Sequence, residues 1–240
     1  MSFAAPTMAG HMCPAISVSG LGITLPGRVL FSDVSFDVEL GEVVAIMGPS
    51  GIGKSTLLSC LAGVTRPSAG SVAVCGTNLS NLSVTERALL RQRKIGFVFQ
   101  FGELLPELNV LDNVSLPLRL SGASRSVAEE SARVWVKRVG LESKLGTFPA
   151  QLSGGELQRI AVCRALVHGP SLVLADEPTG SLDEKNAQRI VALLCSTVRE
   201  SKASLVFVTH DSAVAEHADR ILRVRNCSLT PSFNVEPPQP

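Results

Sequence analysis

Between residues 43 and 60 the chain reads Val43-Val44-Ala45-Ile46-Met47, then Gly48-Pro49-Ser50-Gly51-Ile52-Gly53-Lys54-Ser55-Thr56, then Leu57-Leu58-Ser59-Cys60. An apolar run, a glycine-rich loop and an apolar helical start follow one another, and few structures accept that order. Glycines at 48, 51 and 53 let the backbone turn tightly with its N–H groups pointing inward, and a helix opening near Gly53 adds its positive dipole end at the same spot. The product is a nest for polyphosphate. In this full Walker A pattern Lys54 reaches the β- and γ-phosphates, the Ser55 hydroxyl ligates Mg²⁺ and Thr56 supports the first helical turn. Glycine-rich loops also serve as plain turns, but the strand–loop–helix setting is the one the motif requires.

A second stretch answers the first. Leu172-Val173-Leu174-Ala175-Asp176-Glu177 is an apolar run ending in two carboxylates, as expected of a parallel strand buried on both faces whose carboxyl end meets a ligand. Asp176 is the candidate for the Mg²⁺ shell and Glu177 for the base.

The remaining chain is compatible with one large domain. Of 240 residues 45% are hydrophobic, enough for a substantial core, and a net charge of +1 supplies no basic field for nucleic acid. Cys13, Cys60, Cys75, Cys163, Cys195 and Cys227 are scattered, without metal-ligand spacing, and read as reduced thiols in a cytosolic protein. Residues 1–27 lack charge until the first basic residue at Arg28, yet Pro, Gly and Ser interrupt them too often for a membrane span, and no basic signal-peptide start is present. Residues 1–13 are expected to stand outside the fold.

Residues 16–40 alternate apolar and polar side chains and suit antiparallel strands with one wet face. Ser71-Val72-Ala73-Val74 returns as a strand, and a short helix follows, with Thr85 as its expected N-cap. Ile95-Gly96-Phe97-Val98-Phe99-Gln100 is a strand ending in an amide. Gln100 either satisfies loop backbone or, from its place among the other motifs, contacts Mg²⁺ and water. Helical spacing over 109–114 and 127–139 marks a helical insertion at about 101–150. It closes on Gln151-Leu152-Ser153-Gly154-Gly155-Glu156, a second anion-binding helix start with its helix expected from Glu156. An amphipathic helix follows the turn at Asp183. Ser204-Leu205-Val206-Phe207-Val208-Thr209 is another buried strand that presents His210 at its carboxyl end. A lone histidine is usually structural, but this one stands where open α/β sheets place ligand chemistry. A final strand is expected over 221–224 and an unpacked proline-rich tail over 231–240, which leaves 14–230 as the domain.

Taken together these residues resemble the ATP-binding cassette of ABC transporters over almost the whole chain. The resemblance implies an α/β fold: a P-loop NTPase core with a mainly parallel sheet, an N-terminal antiparallel β-subdomain and an inserted α-helical subdomain. It identifies Leu152-Ser153-Gly154-Gly155-Glu156 as the signature that binds the γ-phosphate on the opposite subunit, Gln100 as the Q-loop, Asp183 as the D-loop and His210 as the switch. It implies ATP hydrolysis with Mg²⁺, a head-to-tail homodimer formed on ATP binding, and an integral-membrane permease as partner, with the protein cytoplasmic and peripheral on the inner face of the cell membrane.

Phe99-Gln100-Phe101-Gly102-Glu103-Leu104-Leu105-Pro106 and the stretch from Leu174 to Asp183 look like the lipoprotein-releasing and macrolide-exporter group. The other reading, a soluble ABC-type ATPase acting on nucleic acid or ribosomes, goes with paired cassettes or long coiled coils that this chain does not carry. One departure stands out: the family stacks adenine on an aromatic ring ahead of the Walker A strand, whereas this chain has no Tyr and Leu25 falls at that position. A Leu there keeps apolar contact and loses the π-face.

Overall fold

The structure, a computed structural model, describes residues 13–100, 102–180 and 182–232. The N-terminal segment 1–12 and the end of the tail, 233–240, where an unpacked chain is expected, lie outside the described residues.

The first two strands, β1 (Ile16–Leu25) and β2 (Arg28–Val38), form an antiparallel hairpin around Pro26-Gly27. Strand β3 (Val43–Met47) then leads through the glycine-rich loop into α1 (Lys54–Leu61). The chain returns to the hairpin as β4 (Ala69–Val74) and the short β5 (Thr77–Asn78), giving a four-stranded sheet of order β2-β1-β4-β5.

Helix α2 (Val84–Lys94) follows. Its N-cap is Ser83, not Thr85: the Ser83 hydroxyl accepts from Glu86 N and the Glu86 carboxylate accepts from Ser83 N at 2.8 Å, a reciprocal closure that Thr85, already inside the helix, cannot make. Strand β6 (Ile95–Val98) ends two residues before Gln100. Helices α3 (Val110–Leu120) and α4 (Arg125–Arg138) form the insertion, and α5 (Gly154–Leu166), β7 (Leu172–Asp176), α6 (Glu184–Glu200), β8 (Ser204–Thr209), α7 (Ser212–Ala215) and β9 (Arg220–Arg225) complete the core.

β9 is not the last strand. Asn226 and Cys227 both take positive φ, 47° and 61°, the backbone a two-residue hairpin turn needs, and β10 (Ser228–Ser232) folds back antiparallel on β9. The strand carries the fold two residues past position 230 and into the proline-rich tail. Pro231 is accepted there because β10 lies at the edge of its sheet, where a missing N–H need not cost a ladder bond.

The second sheet has order β10-β9-β3-β8-β7-β6, with the inner pairs parallel. Its central strands are buried on both faces, which explains their unbroken apolar sequence. Val43, Ala45 and Met47 of β3 pack into one core with α5 and α6, while Val44 and Ile46 face the other core beneath the antiparallel sheet and α1. β7 and β8 divide their residues the same way.

Gly96 sets how closely β6 approaches α5. A Cβ there would lie 2.1 Å from the Ala165 carbonyl oxygen. Gly96→Ala is therefore expected to destabilise the fold by about 1–3 kcal/mol through overpacking, read as a lower denaturant midpoint with an unchanged slope.

Candidate functional site

Parallel pairing brings the chemistry to one edge. β3 pairs in register with β8, β8 with β7, and β7 with β6, so the carboxyl ends at Met47, Thr209, Asp176 and Val98 stand side by side. Gly48, His210 and Glu177 directly follow three of these ends, and Gln100 lies two residues past the fourth. Open α/β sheets bind ligands at such an edge.

The loop is shaped by its glycines. Gly53 has φ 108° and packs so closely on Leu30 and Phe31 that a Cβ would approach them to 3.1–3.2 Å, whereas Gly51, φ 75°, has nothing within 4 Å of that position and is open. Gly53 also N-caps α1 without a side-chain hydrogen bond, so the first-turn N–H groups keep no side-chain acceptor. A helix start of this kind favours an anion.

Lys54 is only 6% exposed, and its Nζ donates to the carbonyls of Gly48 (2.8 Å) and Pro49 (3.2 Å). The same Nζ lies 3.2 Å from Glu177 Oε1, and Glu177 Oε2 lies 2.9 Å from His210 Nδ1. Glu177 thus bridges the loop lysine to a histidine on the next strand. Its backbone sits at φ 43°, a left-handed conformation uncommon for a non-glycine residue and found where a side chain must be aimed. Asp176 accepts a hydrogen bond from the Ser55 side chain. Burial pushes its carboxyl above the usual carboxylate value, partly offset by that bond and by Lys54, with Glu177 adding to the rise.

Lys54, Ser55, Glu177 and His210 line a cleft of about 380 Å³ together with Ser50, Gly51, Gly53, Thr56, Gln100, Leu25, Arg28 and Leu30; Asp176 is not among its lining residues. Gln100 also reaches Gly180, where an added Cβ would meet its Nε2 at 2.9 Å. Gly48 and Pro49 face a neighbouring hollow that His210 shares, and Ile52 packs on the β-subdomain core.

Ser153, Gly154, Gly155, Glu156 and Asp183 are not among the cleft's lining residues. The helix at the signature starts at Gly154, two residues before the expected Glu156, because Ser153 and Glu156 form a capping box: Ser153 N donates to Glu156 Oε2 at 2.8 Å. Those bonds hold the Glu156 carboxyl below its ordinary value. This cap is therefore in place above the ordinary glutamate range and is lost as the pH falls through the depressed value. Asp183 caps α6 through Asn186, and the Gly154 position lies against Leu182, so signature and D-loop are neighbours on a surface apart from the cleft.

Two cleft residues, Arg28 and Leu30, were missed by sequence reasoning. The signal was the Pro26-Gly27 turn, which makes Leu25 and Arg28 cross-strand partners. Phe31, the nearest aromatic candidate for the adenine face, is 1% exposed behind Gly53.

Comparison with known proteins agrees with this geometry. The family model described as ABC transporter matches residues 31–180. The chain belongs to the ABC transporter family. The lipoprotein-releasing system ATP-binding protein LolD of Bordetella pertussis is 47% identical over 222 residues, covering 91% of this chain and 96% of its own. An ABC transporter ATP-binding protein of Mycobacterium tuberculosis is 40% identical over 227 residues, 93% of this chain and 92% of that one. A solved dimeric ATP-binding cassette, in a post-hydrolysis state bound to ADP and Pi, superposes with a TM-score of 0.80 at 34% identity, covering 89% of this chain and 96% of that one. The cassette is thus an ATP-binding subunit and an ATPase of the ABC type. Among the described residues no helix is long and apolar enough to cross a membrane, and all six cysteines are free.

Proposed function

We propose that the cassette hydrolyses Mg²⁺-bound ATP only when two copies meet head to tail, the signature of each covering the cleft of the other. The observation that carries this is the separation within one chain: the cleft holds Lys54, Glu177, Gln100 and His210, while Ser153, Gly154, Gly155 and Glu156 start a helix elsewhere. The dimeric form of the solved relative supports it.

In this reading Lys54 holds the β- and γ-phosphates, and the loop 48–56 supplies N–H donors. An arriving phosphate competes with Glu177 for the lysine, which frees the carboxylate to take a proton from water. His210, bonded to Glu177, holds that carboxylate in place and reaches the γ-phosphate; Asp183 couples the paired sites. Mg²⁺ suits the donors present: the Ser55 hydroxyl, the Gln100 amide oxygen and the Asp176 carboxylate are hard oxygen ligands, and burial makes an adjacent cation favourable for Asp176. When bound, the ion neutralises charge developing on the phosphoryl group.

The relatives' names extend the reading to the membrane. The cassette works as a peripheral subunit on the cytoplasmic face, paired with an integral-membrane permease of the lipoprotein-releasing or macrolide-exporter kind rather than with nucleic acid or ribosomes. Membrane pull-down under native conditions should recover a multi-span protein with it; co-sedimentation with ribosomes would favour the other reading.

Action in trans is testable by complementation. Gly155→Glu places a like charge where a phosphate is held, and the Gly155 Cβ position meets nothing within 4 Å, so the fold accepts it. Gly155→Glu and Lys54→Ala should each be inactive alone, and their mixture should regain activity through dimers with one intact composite site. A mixture as inactive as its components would contradict the proposal.

A further inference from the structure

The cleft has two chemically different ends. Lys54, Ser55 and Thr56, from the loop and the first turn of α1, form one; Leu25 and Arg28, flanking the hairpin turn, form the other, and Leu30 lies against Gly53. Phosphates belong at the lysine end, so the base of a bound nucleotide belongs at the hairpin end, yet no Phe, Tyr or Trp is among the cleft's lining residues, and its imidazole, His210, is bonded to Glu177. A purine left without a flat partner gives up its strongest sequence-tolerant contact.

Leu25 and Arg28 are paired directly across the hairpin and therefore leave the same face of it, toward the cleft. Arg28 is exposed and makes no hydrogen bond or ion pair among the described residues. Lys54, the other cation of the cleft, is engaged by two carbonyls and Glu177. A guanidinium is planar, weakly hydrated and able to stack on an aromatic face, unlike an ammonium.

We propose that Arg28 lays its guanidinium on the nucleobase of bound ATP, with Leu25 as the apolar side of the same platform, and so replaces the absent aromatic ring as the base-binding residue. The inference rests on the cleft being the ATP site. Stacking reads a π-face and not a base edge, so ATP and GTP should bind with similar affinity.

The test separates plane from charge. Displacement of a fluorescent ATP analogue by ATP and by inorganic tripolyphosphate, both with Mg²⁺, is measured for the full-length protein and for Arg28→Ala, Arg28→Lys and Arg28→Tyr, with thermal melting to confirm folding. Arg28→Ala should weaken ATP about three- to tenfold and leave tripolyphosphate unchanged. Arg28→Lys should behave like Arg28→Ala, since the charge stays and the plane goes, and Arg28→Tyr should recover most of the loss. Unchanged ATP affinity in Arg28→Ala would overturn the proposal. So would equal weakening of ATP and tripolyphosphate with recovery in Arg28→Lys, which would make Arg28 a phosphate contact. Failure of the unsubstituted protein to bind ATP would overturn the reading of the cleft as well, an outcome distinct from the other two.

Discussion

Glu177→Gln should lower ATP turnover by about 10²–10⁴-fold while nucleotide affinity holds or improves. The amide cannot accept the proton that a general base removes, and loss of such a base costs this much. The fold should tolerate it, because a glutamine fills the same space at φ 43° and keeps a polar contact to His210. Affinity should not fall, because the Glu177 carboxylate lies 3.2 Å from Lys54 Nζ and competes with phosphate for it. Single-turnover ATPase measurements beside direct binding separate these effects. A variant with normal turnover would remove Glu177 from the chemistry.

Lys54→Ala should raise the Kd for ATP by about 10–100-fold, the loss expected of charge-assisted contacts to phosphate. It should also leave Glu177, which is 14% exposed, without its cation and next to Asp176. Two close, partly buried carboxylates then repel each other, and the remaining phosphate site becomes more negative. Binding itself should therefore fall, not only the rate. Titration with a fluorescent ATP analogue at constant ionic strength is the measurement, and unchanged affinity would place Lys54 away from the phosphates.

The parts of this molecule that were legible in its sequence are those in which one local rule decides the outcome. Val43–Met47, Leu172–Asp176 and Ser204–Thr209 are unbroken apolar runs because each is buried on both faces, and the residues after them could be assigned to one sheet edge without knowing the strand order. Gly51 and Gly53 announce the positive φ that the loop uses.

The features that went unread depend on partners distant in sequence or on competition between nearby signals. Ser83 and Thr85 are both good capping residues, and only the reciprocal bond with Glu86 chooses between them. Asn226-Cys227 does not look like a hairpin turn, since Cys seldom adopts positive φ; pairing of β10 with β9 from Ile221 to Arg225 holds it there. Arg28 belongs to no sequence motif, and only the hairpin register places it beside Leu25 in the lining of the cleft.

The head-to-tail dimer is the central claim, because without it the signature at Ser153–Glu156 and the cleft at Lys54 have no common task. Sedimentation velocity of Glu177→Gln tests it most directly, since this variant should bind ATP without consuming it. With Mg²⁺ and ATP the protein should sediment as a dimer, and with ADP or no nucleotide as a monomer. A monomer at every concentration of ATP that saturates the cleft would contradict the account.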